Sequence, residues 1–263
     1  MKTTYNTLVI GATLAGLGIA YRDREETLVV ESTAMVGPEF LYAYRYGTGW
    51  DTPPQSDEGK RLKQELLDRN ILKDGAAHIP GLMPVLYARI GTDHLPVSFM
   101  TEVLDVTSSA DGFAVTLFNA SGKTPVTVKR IIDTTSACRS APGKGITFTG
   151  KHVSALLGCP PCDGSIPAAN GVSVSEGRFG HERIFSVTVP VDAAWPAARE
   201  TFFRAWAARD ARLGMATLAA VGMTFDVSVP KGPKTISDGW VHLPSAAYDN
   251  ALAAFDAGCV FGA

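Results

Sequence analysis

The chain has 263 residues, of which 46% are apolar and 19% charged, and its net charge is -2. A chain of this length buries roughly three quarters of its unfolded surface, so it needs no disulfide scaffold, and four cysteines are too few for one. Without a basic excess to neutralise phosphates, a nucleic-acid binder is excluded.

The first predicted strand is "YNTLVI", a short β-rich apolar run. "GATLAG", residues 11–16, makes a glycine turn. Leu14, Leu17 and Tyr21 then mark the inward face of a short helix ending in "RDREE", and "TLVVE" is a second strand. Strand, helix and strand in such quick succession form a βαβ unit, with parallel strands and a right-handed crossover. Lys2 followed by the apolar run Leu8–Ala20 has the look of a signal peptide. Against that, Gly11, Gly16 and Gly18 stand at turn spacing and the run leads into a core strand. No apolar segment reaches the ~20 residues needed to span a bilayer; the longest is "LGMATLAAVGMTF", residues 213–225. The expectation is a cytoplasmic protein without a membrane partner.

"STAMVGPEFLYAYRYGTGWDTPPQ" lacks periodicity and reads as a structured loop. "SDEGKRLKQELLDRNIL" predicts a surface helix on Leu62, Leu66 and Leu67. "IPGLMPVLYARI" predicts another, with Pro80 near its start. The period then changes to two. "LPVSFMTEVLDVTSS", "GFAVTLFN" and "TPVTVKRIID" are three strands, joined by the hairpin signals "SADG" and "NASGK". Beyond them, "RIFSVTVPV" and "MTFDVSVP" are strands, "AAWPAARETFFRAWAARDAR" is a helix and "CPPCDGSIPAANG" is loop. "DGWVHLPSAAYDNALAAFDAG" reads as strand, turn and helix, with Gly258 as the helix stop.

The first turn carries the chemistry. In a dinucleotide-binding turn the first glycine turns the chain, the second admits the pyrophosphate and the third lets helix pack on strand. Gly11 and Gly16 fill the first and third places, and Thr13 fills the second. The helix N-terminus still offers free N–H groups and a positive dipole, and the Thr13 hydroxyl is placed to donate to a phosphate oxygen. Glu31 closes the second strand, where an acidic side chain accepts from a ribose diol. A βαβ unit that binds nothing can carry the same turn. The five histidines form no metal motif, and His242 reads as a packed strand residue. The aromatic stretch around Tyr44, Tyr46 and Trp50 reads either as a surface cluster or as a wall of the site.

This order of elements resembles the FAD-binding fold of glutathione-reductase type, over residues 5–40, 96–136 and 237–258. In that family a β-meander returns to an "Asp-Ala-Thr-Gly"-like turn, matched here by Asp133, Thr134, Thr135 and Ser136. A later "Gly-Asp" holds the ribityl chain, and here Pro244 and Ser245 stand in its place. The resemblance implies an α/β architecture: an FAD/NAD(P)-binding Rossmann-like fold with a β-meander crossover, and an inserted α+β substrate domain. The nucleotide domain would be residues 1–136 and 237–263, and the insert residues 137–236. Gly11, Ala12, Thr13, Leu14, Ala15 and Gly16 would face the pyrophosphate of FAD, and Glu31 and Ser32 the adenosine ribose. Val103, Thr135, Ser136, Pro244, Ser245 and Asn250 complete the implied cofactor set.

The implied activity is an FAD-dependent oxidoreductase acting on a small-molecule substrate, with no catalytic residue identified and no metal. Electrons would come from the substrate, a transient nicotinamide or an electron-transfer partner. The substitutions at Thr13, Ser136, Pro244 and Ser245 motivate the alternative, a non-catalytic nucleotide-binding or interaction protein on that scaffold. A third reading rests on Cys159 and Cys162. "CPPCDG" resembles the redox pair of low-molecular-weight thioredoxin reductases, which would make a flavin–dithiol reductase. That family keeps the pair in a second nucleotide domain, and no second Gly-x-Gly-x-x-Gly occurs here.

Overall fold

Thr4–Ile10 forms β1 in the structure, a computed structural model that describes residues 2–160, 166 and 168–262. Leu8, Val9 and Ile10 are all buried, so both faces of the strand are covered, as in a parallel sheet. Helix α1 (Leu14–Arg22) is buried from Leu14 to Tyr21, and β2 (Thr27–Val30) runs parallel to β1 with Leu8 opposite Leu28. The loop after β2 contains a tight π-helical turn, Pro38–Tyr42. Helix α2 (Asp57–Asp68) follows, capped by Ser56, with Leu62 and Leu66 inward and Leu67 exposed. A two-residue hairpin, β3 (Leu72–Lys73) and β4 (Ala76–Ala77), leads to α3 (Ile79–Thr92).

The single strand expected over "LPVSFMTEVLDVTSS" is two. β5 (Val97–Ser98) pairs with β2, the chain turns at Met100 with φ 52°, and β6 (Glu102–Ser109) departs in a new direction. The backbone of the preceding loop dictates the break: Met100 N–H donates to Thr33 O and Thr101 N–H to Glu31 O. β6, β7 (Gly112–Asn119) and β8 (Gly122–Asp133) form the antiparallel meander, with two-residue loops at 110–111 and 120–121. The far end of β8 pairs parallel with β1 and brings Asp133 beside Ile10.

Between β8 and the next strand of this sheet, the chain builds a second one. It comprises β9 (Gly150–Gly158), β10 (Val172–Glu176), β11 (Glu182–Val189), and, after helix α4 (Trp195–Ala207), β12 (Thr217–Val221) and β13 (Asp226–Ser228). Its order is β10-β11-β9-β12, and β13 also pairs with β9. Phe185 anchors a separate core, edge-on to Phe202 and Trp206. β9, central to that sheet, carries no alternation strong enough to stand out in the sequence.

β14 (Lys234–Ser237) and β15 (Trp240–His242) return to the first sheet, whose order is β14-β15-β8-β1-β2-β5. Helix α5 (Ala251–Val260) then packs on α1. Gly258 lies inside α5 and does not end it. A Cβ there would stand 2.1 Å from Ala15 O, and one on Gly18 would stand 2.1 Å from Phe255 O. The glycine is there for close helix approach. Among the described residues, no helix is long and apolar enough to cross a membrane.

Candidate functional site

Residues at the strand ends of the first sheet converge on the N-terminus of α1. Gly11 has φ 101°, and a Cβ on Gly16 would stand 2.3 Å from Gly11 O, so both glycines serve the tight turn. Thr13 is the N-cap of α1. Its Oγ1 accepts from Gly16 N–H at 3.0 Å and donates to Thr134 Oγ1 at 2.7 Å. Leu14 N–H donates to Glu39 Oε1 at 2.9 Å, and Ala15 N–H to Ser245 Oγ at 3.1 Å. Ser245 in turn donates to Glu39 Oε1 at 2.5 Å. The first N–H groups of a helix have no intrahelical acceptor and are what an anion would use. Here each of Leu14, Ala15 and Gly16 meets a side chain of the same protein.

Glu39 was absent from the sequence-derived set. It sits in the Pro38–Tyr42 turn, eight residues past Glu31, held against α1 because Gly37 N–H donates to Ala12 O at 2.8 Å. A Cβ on Gly37 would stand 2.4 Å from Leu14 Cδ2, so only glycine permits this approach. Burial pushes the Glu39 carboxyl up to about 7, against the lowering effect of the Ser245 hydroxyl and Leu14 N–H. Its Oε2 is buried without a hydrogen-bond partner. Nothing in one-dimensional spacing links a carboxylate in a Gly-Pro turn to a helix N-terminus 25 residues earlier.

Glu31 is buried at the end of β2. Its Oε2 accepts from Ala12 N–H at 3.2 Å, and its Oε1 from Thr33 N–H at 2.9 Å and Thr33 Oγ1 at 2.8 Å. Arg139 Nη1 lies 3.6 Å from Glu31 and also donates to Ser32 Oγ. Asp133 accepts from Thr135 and Ser140, through backbone and hydroxyl alike, and so fixes the turn after β8. Ser136 stays half-buried beside it. His242 is fully buried; Ile146 N–H donates to its Nδ1, so Nε2 carries the proton and donates to Thr135 O at 2.8 Å. Pro244 is buried, and Asn250 caps α5 through Ala253 N–H. Trp50 is a core residue, 1% exposed.

Two cavities flank the Glu31–Arg139 pair, and both are lined by Glu31, Thr135 and Arg139. One, of about 240 Å³, also has Gly11, Ser32 and Val103 in its wall. The other, of about 390 Å³, lies between the Pro38 turn and the second sheet, and includes Thr13, Glu39, Ser136, Lys151 and Phe225. Cys159 lines neither; it belongs to the second core, and Cys162 lies outside the described residues. The remaining described thiols are poor nucleophiles, since burial pushes Cys138 up to about 11 and Cys259 up to about 12.

The architecture has many counterparts among solved structures. Aklavinone-11 hydroxylase, solved with FAD and aklavinone, superposes with a TM-score of 0.63 at 15% identity over 98% of this chain. Glycine oxidase from Geobacillus kaustophilus gives 0.65 at 13% identity, over 98% of this chain and 93% of the oxidase. L-amino acid deaminase from Proteus vulgaris gives 0.63 at 9% identity, over 98% of this chain and 92% of the deaminase. The fold is the FAD-binding Rossmann-like fold. The chain spans only 61% of the hydroxylase's length. No protein-family model and no curated protein matches the sequence.

The flavoprotein fold implies FAD, but the side chains around α1 do not fit its pyrophosphate. Four of the donors it would use are taken: Glu31 and Glu39 hold Ala12 and Leu14 N–H, and the Ser245 and Thr13 hydroxyls hold Ala15 and Gly16 N–H. A phosphate at this helix would have to displace both carboxyls and the hydroxyls of Thr13 and Ser245 from these amides.

Proposed function

We propose that this chain is a non-catalytic small-molecule-binding protein built on a flavoprotein scaffold. The observation that carries the reading is an internal carboxyl in the phosphate position. Glu39 sits on Leu14 N–H with Ser245 beside it on Ala15 N–H, where the pyrophosphate of a dinucleotide is otherwise received. The groove between the two sheets survives, and at about 390 Å³ it has the size of a ligand pocket. Met35, Pro38, Phe148, Phe225 and Val227 give it an apolar lining, and Glu31 and Arg139 stand in its wall. The test is a visible absorption spectrum of the purified protein, followed by calorimetric titration with FAD. A colourless protein that takes up no FAD is expected. Thr13→Gly alone should not restore uptake, because Glu39 still holds Leu14, whereas Thr13→Gly combined with Glu39→Ser should.

The second reading is an FAD-dependent oxidoreductase of glutathione-reductase type acting on a small molecule. It is favoured by the fold match over 98% of the chain and by two cavities along the strand ends, where an extended dinucleotide would run. It requires Glu39 to withdraw from α1. Gly11 to Gly16, Glu31, Val103 and Thr135 would then hold the cofactor, which would supply the redox chemistry, with an electron-transfer partner as one source of electrons. A yellow protein releasing stoichiometric FAD on denaturation would establish this reading and sink the first. Within it, loss of turnover in Cys159→Ser would mark the dithiol variant.

A further inference from the structure

The 390 Å³ cavity contains a buried cation with no anion to match it. Lys151, on β9, is 8% exposed. Its ammonium donates to Ala193 O at 3.1 Å and lies 4.4 Å from the centroid of Phe225 and 6.0 Å from that of Phe148. An ammonium has three donors, and among the described residues no carboxylate lies within ion-pairing distance of this one. Arg139, the other cation of the cavity, is committed to Glu31. A buried charge is costly unless paired, and rings that hold it by cation–π contact do not neutralise it. Met35, Pro38, Phe148, Phe225 and Val227 form the apolar part of the lining, with threonines and Ser136 between them. Glu39 also lines the cavity, and its Oε2 is buried without a hydrogen-bond partner.

We propose that this cavity binds an apolar monocarboxylate, its acid group paired with Lys151 and its hydrocarbon body between Phe148 and Phe225. A single negative charge matches the one buried ammonium, whereas a phosphate dianion would bring a second charge into a cavity that Glu31 and Glu39 also line. The class is therefore aromatic or branched aliphatic acids. The inference rests on the binding-protein reading above and specifies its ligand.

The probes are 2-naphthoate, 2-naphthamide and 2-naphthyl phosphate, titrated calorimetrically into protein whose absorption spectrum has been recorded. The acid should bind at least tenfold tighter than the amide and than the phosphate ester. Lys151→Met should abolish the preference for acid over amide, and Lys151→Arg should keep it. Thermal unfolding of each variant establishes that it is folded. If Lys151→Met does not fold, the Lys151→Gln variant takes its place in the same comparison. Equal binding of acid and amide, stronger binding of the phosphate, a preference that survives Lys151→Met, or no binding at millimolar acid would each overturn the proposal. A colourless protein showing any of these outcomes loses only this inference. A yellow protein loses the binding-protein reading, whatever the acid does.

Discussion

Thr13 and Glu39 act on the same few amides from two sides. The Thr13 hydroxyl serves Gly16 N–H and ties the helix start to Thr134, so Thr13→Ala should cost about 1 kcal/mol of stability, the usual worth of a helix cap. Thr13→Ser should recover most of it, measured by urea unfolding. For Glu39 the expected effect depends on pH. Its carboxyl titrates at about 7 in the native state, against an ordinary 4.5. Between those values the native state keeps a proton that the unfolded chain has lost. Stability is therefore full below pH 4.5, falls as pH rises and is lost by pH 7, on the order of 3 kcal/mol in all. Asp226 adds to the same slope, because burial pushes its carboxyl up despite Arg45 and His152 nearby. Glu39→Gln should flatten most of the decline in urea midpoints between pH 5 and 8. A slope equal to wild type would show that Glu39 does not titrate in that range. The sequence exposes Gly11, Thr13, Gly16 and Glu31 as a modified nucleotide turn because their spacing is local. Glu39, Arg139 and Lys151 reach the same place from three separate segments, and only the folded chain brings them together.

At the level of elements, α1 and α5 meet through glycine. Gly18 and Gly258 each face a carbonyl of the other helix, at distances no Cβ tolerates. Gly258→Ala should therefore force the helices apart and cost about 3 kcal/mol, the upper range for overpacking, read as a lowered urea midpoint with unchanged slope. A midpoint equal to wild type would show that α5 yields freely. Gly258 illustrates what a sequence can and cannot say of an element. A glycine after a helical pattern looks like a stop, and the helix runs on because the residue is needed for contact, not for φ. The meander was legible because two-residue turns and period-two alternation are local signals. The break at Met100 was not, since it follows from hydrogen bonds to Glu31 and Thr33 some seventy residues earlier in the chain. β9 was invisible for another reason: its buried face begins with Lys151, and its other face mixes His152 and Ser154 with Leu156, so the sequence shows no alternation although the burial does.

Across the whole molecule, the two sheets are held together beside the candidate cavity. Arg45 is the main tie. From the first layer it donates to Val227 O in the second sheet at 3.2 Å, and back to Ala246 O and Tyr248 O at 2.6 and 3.1 Å. Its Nε lies 3.6 Å from Asp226, and its guanidinium sits 5.2 Å from the Phe40 ring centroid. Thr224 Oγ1 adds a bond to Pro38 O, and His78 reaches Glu182 from α3's N-cap. Arg45→Met keeps an unbranched apolar stem but leaves three carbonyls and the Asp226 carboxyl without their partner. Removing one partner of a buried pair costs roughly 3–5 kcal/mol. Because the lost contacts lie between the layers, the cost should fall on their docking more than on either core. Trp50 reports the first core, and Trp195 and Trp206 the second. In wild type, near-UV circular dichroism and tryptophan fluorescence should follow one urea transition. In Arg45→Met the second core should melt first and split the curve, and Arg45→Lys should fall between, since a lysine replaces the charge but not the fork. A single transition at the wild-type midpoint would mean that the other ties, Thr224 to Pro38 and His78 to Glu182 among them, hold the sheets without this residue.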